Sequence, residues 1–447
     1  MKEIILGTGP CGIGAAYRAL DLGCPDFKAF ERQLYVGGLS GSFIDPAGFT
    51  WDIGGHVLFS HYDYFDKAVA EALGGAYYEH MRECWVRLLD TWVPYPFQNN
   101  IRHLPPKARE RCIAGLKNLI GDPSCAANFR EWMDAVFGEG IVHYFMAPYN
   151  FKVWATPPEL MGKDWIAERV SVVDLARIER NMAECRDEVA WGPNNLFRFP
   201  KRGGTGAIYK AVAEQFQNRI CLEHDLTGIN FAAKQLRFGN GFACSYDRLI
   251  TTLPIDKLIS MSDDAPAKVR EAAGRLLHNS VYVVGIGVRG QRDDSRCWMY
   301  FPEDDCPFYR VTNFHNYSPC NVPDDGCGPY RALMCETSYS AYKPVAKEAV
   351  IEETIQGLIH VGLLTSEESE HIVSRHLMDV PYAYPIPTIG RDSALRVIQD
   401  FLESVDVYSR GRFGAWKYEI GNMDHSFMQG VEIVNRLVTG EKETVLF

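Results

Sequence analysis

Apolar and polar positions along the chain change period several times, and each change marks an element. "EIIL" is a short apolar run closed by glycine, followed by the helical pattern "GIGAAYRALDLG", and "DFKAFE" reads as a second strand ending at Glu31. From about Leu104 to Glu188 helical spacing dominates, as in "KARERCIAGLKNLIG" and "FREWMDAVFGEGIVHYFM". From about Ile220 to Leu253 short strands take over, with "RLITTLP" reading as a buried one. A helix at "APAKVREAAGRLL" precedes strands at "SVYVVGIGV", "CWMYFP" and "YRALMCE", and helices are expected near Lys347–Leu363 and Ser366–His376. A final helix is expected from Asp424–Ser426, with Phe427, Val431, Val434 and Val438 on one stripe. The interleaving predicts an α/β core with inserted segments, without internal repeats.

Composition narrows the class. Of 447 residues 47% are hydrophobic and 23% charged, which is globular, and the length suits two or three domains. The net charge of −11 and the absence of a long basic run argue against nucleic acid or an acidic membrane surface as partner. Thirteen cysteines without a C-x-x-C pair make a zinc site or a disulfide framework unexpected, so no metal is assigned. The chain opens directly in a strand, and "VYVVGIGV", its longest apolar run, is too short to span a bilayer. These features predict a cytoplasmic protein with reduced thiols.

Gly7-Thr8-Gly9-Pro10-Cys11-Gly12 is a G-x-G-x-x-G between strand and helix, and Glu31 stands 19 residues beyond Gly12. Such glycines bring bare backbone to a pyrophosphate at a helix N-terminus, and the acid accepts from a ribose hydroxyl. Two further glycine turns, Gly37-Gly38-Leu39-Ser40 and Gly54-Gly55-His56, suit a cofactor whose length spans several loops, which favours FAD over NAD.

The stretches "GFTWDIGGHVLFSHY", "WVPYPFQNN", "YNFKVWATP", "AERV", "GPNNLFRFPKRGGTG", "CWMYFPEDDCPFYR", "YPIPT" and "GRFGAWKYEIGNMDHSF" together resemble the UDP-galactopyranose mutase family, most closely its eukaryotic-type branch. The resemblance runs from residue 7 to residue 430. It implies a Rossmann-like FAD-binding domain of glutathione-reductase type, with an inserted helical domain and an antiparallel or mixed sheet domain. The implied boundaries are 1–90 with about 203–270 and 388–447 for FAD, about 101–195 for the helical substrate cap, and about 91–100, 196–202 and 275–387 for the sheet. It implies an isomerase that converts UDP-galactopyranose to UDP-galactofuranose without net redox change, through attack of reduced-flavin N5 on the anomeric carbon. NADPH and NADH are the candidate reductants, between which the sequence does not choose, as it carries no second dinucleotide fingerprint. A homo-oligomer is compatible with the sequence, which leaves the oligomeric state open.

The resemblance also assigns residues. Arg169 and Arg310 grip the diphosphate with planar bidentate donors, joined by Tyr384 and Tyr418. Tyr95, Phe97 and Gln98 receive the uracil, Asn150, Trp154 and Asn194 make further substrate contacts, and Trp298 and Tyr300 border the sugar. His56 sits beside the flavin, where its backbone carbonyl matters more than acid–base chemistry. Arg412, Gly421, Asn422, Met423 and Ser426 return late in the chain to the flavin's pyrimidine edge, at a helix N-terminus whose dipole favours an anionic reduced ring. Met423 departs from the family pattern, which has glutamine there, and so puts fine tuning of the flavin and the sugar preference in question. The rival classes are an FAD amine or porphyrinogen oxidase, which needs an apolar pocket without paired arginines, and a mutase for another nucleotide sugar such as UDP-arabinopyranose.

Overall fold

A computed structural model describes residues 3–24, 26–166, 173–189, 195–291 and 293–446. Arg169 and Asn194 lie outside the described residues. A five-stranded sheet runs in the order Val407–Ser409, Arg248–Thr251, Glu3–Leu6, Phe27–Phe30, Ile220–Cys221, all parallel. Its strands are nearly continuous apolar text because both faces are covered. On one face lie the first helix, Pro10–Asp21, and the closing helix, Met423–Thr439. They approach so closely that a Cβ on Gly14 would collide with the carbonyl of Phe427, and one on Gly430 with the carbonyl of Cys11. Small residues in both helices are therefore what lets the end of the chain dock on its beginning.

The second sheet has seven strands, in the order Ile372–Pro385, His278–Arg289, Tyr330–Tyr339, Arg310–Asn313, Trp298–Tyr300, Cys84–Leu88, Thr91–Pro94. All pairs are antiparallel except Trp298–Tyr300 with Cys84–Leu88. Gly285 and Gly287 in its central strand leave room for the rings of Trp51 and Phe49, which a Cβ at either glycine would strike. The helical layer contains Pro106–Lys117, Phe129–Ile141 and Ala147–Trp154, the last two joined through a π-helical turn at Val142–Met146. No helix among the described residues is long and apolar enough to cross a membrane.

Several local expectations change. Ser366–His376 was expected as helix, but a one-turn helix, Ser366–Ser369, closes behind a Thr365–Glu368 capping box, and the chain enters a strand at Ile372. Pairing of that long strand with His278–Arg289 outweighs the local helical signal. The 196–200 segment pairs with Tyr77–Met81 in a separate ribbon, and Cys84–Leu88 joins the seven-stranded sheet rather than the parallel one. On the closing helix Phe427, Val431 and Val434 are buried as expected, whereas Val438 is exposed.

Candidate active site

One cavity of about 1650 Å³ runs from the glycine turns of the parallel sheet to the seven-stranded sheet and the helical layer. That exceeds the about 300–1,000 Å³ of a single small-molecule pocket, so it has room for a cofactor and a substrate together. It opens at the carboxyl ends of the parallel strands, where ligands of doubly wound sheets sit.

At the cofactor end, Gly7 turns the chain with φ +91 and its N–H donates to Phe30 O at 2.8 Å. Gly12 must lack a side chain because a Cβ would strike the Gly7 carbonyl. The second glycine loop is tied to the first: Gly37 N–H donates to Thr8 O at 2.8 Å, and a Cβ on Gly38 would come within 3.0 Å of Gly9 Cα. Glu31 lies buried on the cavity wall and accepts from Thr8 N–H at 2.8 Å, Thr8 O–H at 2.9 Å and Gln33 N–H at 3.0 Å. Pro10, Cys11, Leu39 and Ser40 line the same stretch, while Gly12 and Gly37 stand behind it. Gly421, Asn422, Met423 and Ser426 enter from the other end of the chain. Asn422 caps the closing helix with extended backbone, and Met423 is its first residue. Arg412 is held by Ala383 O and Gly421 O, each at 3.0 Å, with its guanidinium 4.9 Å from the Tyr384 ring centroid. A bare glycine floor, a buried acid on the cavity wall and a helix N-terminus are the groups that a flavin dinucleotide needs, so these residues fit it.

Facing this floor from the strand Tyr330–Tyr339 of the seven-stranded sheet is Glu336, a buried carboxylate that the sequence did not single out. It accepts from Gly55 N–H at 2.7 Å, Tyr309 O–H at 2.5 Å, Arg310 Nε–H at 2.9 Å and an Arg310 terminal N–H at 2.6 Å. Burial pushes its carboxyl up, but Arg310, Tyr309 and the Gly55 N–H more than offset this and leave it below the usual carboxylate range. The signal was the one acid in the strand "YRALMCETSY", directly after the apolar run Ala332–Cys335. Next to it, burial holds the His56 imidazole down at about 4, with Arg310 and Arg412 adding to the effect and Glu336 opposing it. His56 is therefore neutral at physiological pH, and its Nδ1 has no partner among the described residues.

The far end is aromatic. Trp298 lies under two guanidiniums, Arg310 at 4.8 Å and Arg82 at 4.7 Å from the ring centroid. Arg82 is a second residue the sequence reading passed over, since nothing in its local text distinguishes it. Tyr300 packs on Tyr95 at 5.2 Å and Tyr149 at 5.4 Å, and Trp154 packs on Tyr418 at 4.7 Å and Tyr384 at 5.8 Å. Burial raises the Tyr149, Tyr309 and Tyr384 phenols, which stay protonated as donors. Asn150 accepts from Trp154 Nε1 at 3.2 Å and donates to Met146 O at 2.7 Å, so it fixes the indole as well as facing the cavity. Gln98 also reaches the wall. Phe97 does not: it is fully buried, stacked on Phe145 at 4.6 Å, and Phe145 is the ring that lines the cavity. The expected uracil-stacking role of Phe97 is thus corrected to a backing role, because its short helical turn points it into the core.

A parallel Rossmann-type sheet, two added glycine loops and a long mixed cleft define a flavin-binding α/β protein. Residues 10–296 match the model of the flavin containing amine oxidoreductase family. A crystal structure of reduced UDP-galactopyranose mutase is similar at 45% identity and a TM-score of 0.95, over 100% of this chain and 95% of that one. The chain belongs to the UDP-galactopyranose mutase family of isomerases. A candidate protoporphyrinogen oxidase from Exiguobacterium sp. 255-15 (15% identity, TM-score 0.74, 98% and 99% coverage) shares the fold alone. So does the CLA-producing fatty acid isomerase from P. acnes (14% identity, TM-score 0.67, 98% and 98% coverage).

Proposed function

We propose that this chain is an FAD-dependent mutase that interconverts UDP-galactopyranose and UDP-galactofuranose without net redox change. The observation that carries the reading is the Arg310–Glu336 pair at the junction of the two cavity halves. An amine or porphyrinogen oxidase needs an apolar pocket there, whereas a diphosphate needs a planar cation. Arg310, joined by Arg169, holds the diphosphate, and Tyr384 and Tyr418 donate to it. Tyr95 and Gln98 receive the uracil. Trp298 and Tyr300 border the sugar, with Asn150, Trp154 and Asn194 completing its surroundings. Arg412 and the first turn of the closing helix face the flavin's pyrimidine edge with positive charge. Held along the glycine loops, reduced FAD would supply the nucleophile for the anomeric carbon. The neutral His56 and the Gly54-Gly55 turn would stand beside the flavin N5 in a positioning role, and the aromatic wall excludes water while the departing UDP stays gripped for return. NADPH or NADH acts as external reductant, and the location is cytosolic.

Chromatographic product analysis tests this with oxidised and dithionite-reduced enzyme and a panel of nucleotide sugars. Furanose should form from UDP-galactose only with reduced enzyme. Turnover confined to UDP-arabinopyranose would change the substrate, and net oxidation of an amine or porphyrinogen without any furanose would replace the reading with an oxidase.

A further inference from the structure

On the wall of the same cavity, at the start of the closing helix, lies a side-chain cluster to which the mechanism above gives no task of its own. Asp424, the second residue of that helix, is 1% exposed. His61 Nδ1 stands 2.8 Å and His425 Nδ1 3.9 Å from the same oxygen, Asp424 Oδ2. The two imidazoles are stacked almost parallel, 5.2 Å apart and 14° from coplanar. The three donor atoms all lie within 4.8 Å of one another. Asp424 Oδ1, fully buried, has no hydrogen-bond partner among the described residues. His61 is 43% exposed and lines the cavity, so an ion would reach the site through it.

We propose that His61, Asp424 and His425 form a site for one divalent first-row transition ion. Two imidazole nitrogens and one carboxylate, with remaining positions open to water, are a donor set such ions prefer. At bond lengths of about 2.0–2.1 Å, neighbouring donors around the ion stand about 3–3.5 Å apart. The two distances to Asp424 Oδ2 bracket that value, so small side-chain rotations close the site. An ion would displace the Tyr62 hydroxyl, now 2.8 Å from His425 Nδ1, and would engage the carboxylate that is now half-satisfied. It would bridge the loop that follows Gly54-Gly55 to the first turn of the closing helix. The alternative is a hydrogen-bonded tie between those two segments that never meets a metal. Sequence alone did not suggest the site because its ligands are 363 positions apart.

The test uses tag-free holoenzyme and Ni²⁺, followed by titration calorimetry and by metal content after dialysis. One Ni²⁺ per chain should bind, and His61→Ala and His425→Asn should each weaken it at least ~10-fold. His61→Ala changes a half-exposed side chain and leaves all thirteen cysteines in place, so it also serves as the control for thiol binding. Wild type that binds no Ni²⁺, or binds it no more tightly than His61→Ala, overturns the site.

Discussion

Arg310 and Glu336 show how one buried pair sets two properties. Arg310→Ala removes the proposed diphosphate donor and leaves Glu336 buried without its main counter-charge. UDP affinity should fall by roughly 2–5 kcal/mol, measured by calorimetry. Stability should fall by about 3–5 kcal/mol, measured by urea unfolding. Unchanged UDP affinity would remove Arg310 from the substrate site. Asp52 is a different case. Burial pushes its carboxyl up to about 7, opposed by hydrogen bonds from Ser42 and Thr205. The folded state then keeps a proton that the unfolded chain, with an ordinary aspartate, gives up near pH 3.9. Its stabilising contribution is complete below that pH and is lost as pH rises toward about 7. Relative to Asp52→Asn, wild type should lose on the order of 4 kcal/mol between pH 4 and pH 8. Urea midpoints at the two pH values check this, and a constant difference would mean that Asp52 is ionised throughout.

At the scale of elements, the first and closing helices behave as one unit. Gly430→Ala would force a methyl onto the Cys11 carbonyl and the Ala15 amide, separating the helices directly behind the glycine turn. A loss of about 1–3 kcal/mol or more is expected, together with loss of bound flavin, read as yellow colour after gel filtration. Gly274, the last residue of the helix Ala267–Gly274, has open space where its Cβ would be. Gly274→Ala should therefore be neutral or stabilising by up to about 1 kcal/mol, with flavin content retained. Equal effects at the two positions would contradict the packing account. The glycines of the first turn were legible from sequence because G-x-G-x-x-G carries its own mechanism. Gly430 and Gly285 were not, because the groups that forbid a side chain there come from distant segments.

Across the whole molecule, the last residues are fastened by charge. Arg410, fully buried, donates to Glu443 at 2.6 and 2.7 Å and to Glu403 at 2.7 Å, while Arg436 joins both acids. Glu443→Ala leaves a buried guanidinium with one carboxylate. It should cost about 3 kcal/mol, seen as a lower melting temperature, and should free the chain end to proteolysis. An unaltered melt would mean that Glu403 alone suffices.

What the sequence by itself determined is what short-range text can encode. The glycine turn, the acid at the second strand's end, the helical segment and the final helix all rest on spacing or on contiguous motifs. Most of the assigned substrate residues that the structure describes, including Tyr95, Gln98, Trp298, Arg310 and Tyr418, do meet in one cavity. Tertiary structure alone decided the rest. It put Glu336 between the Gly55 backbone and Arg310, added Arg82 beside Trp298, turned Phe97 inward and drew the Ser366–His376 segment into a strand. Each of these depends on a partner far away in the chain, and the pattern around a residue holds no record of what will be folded against it.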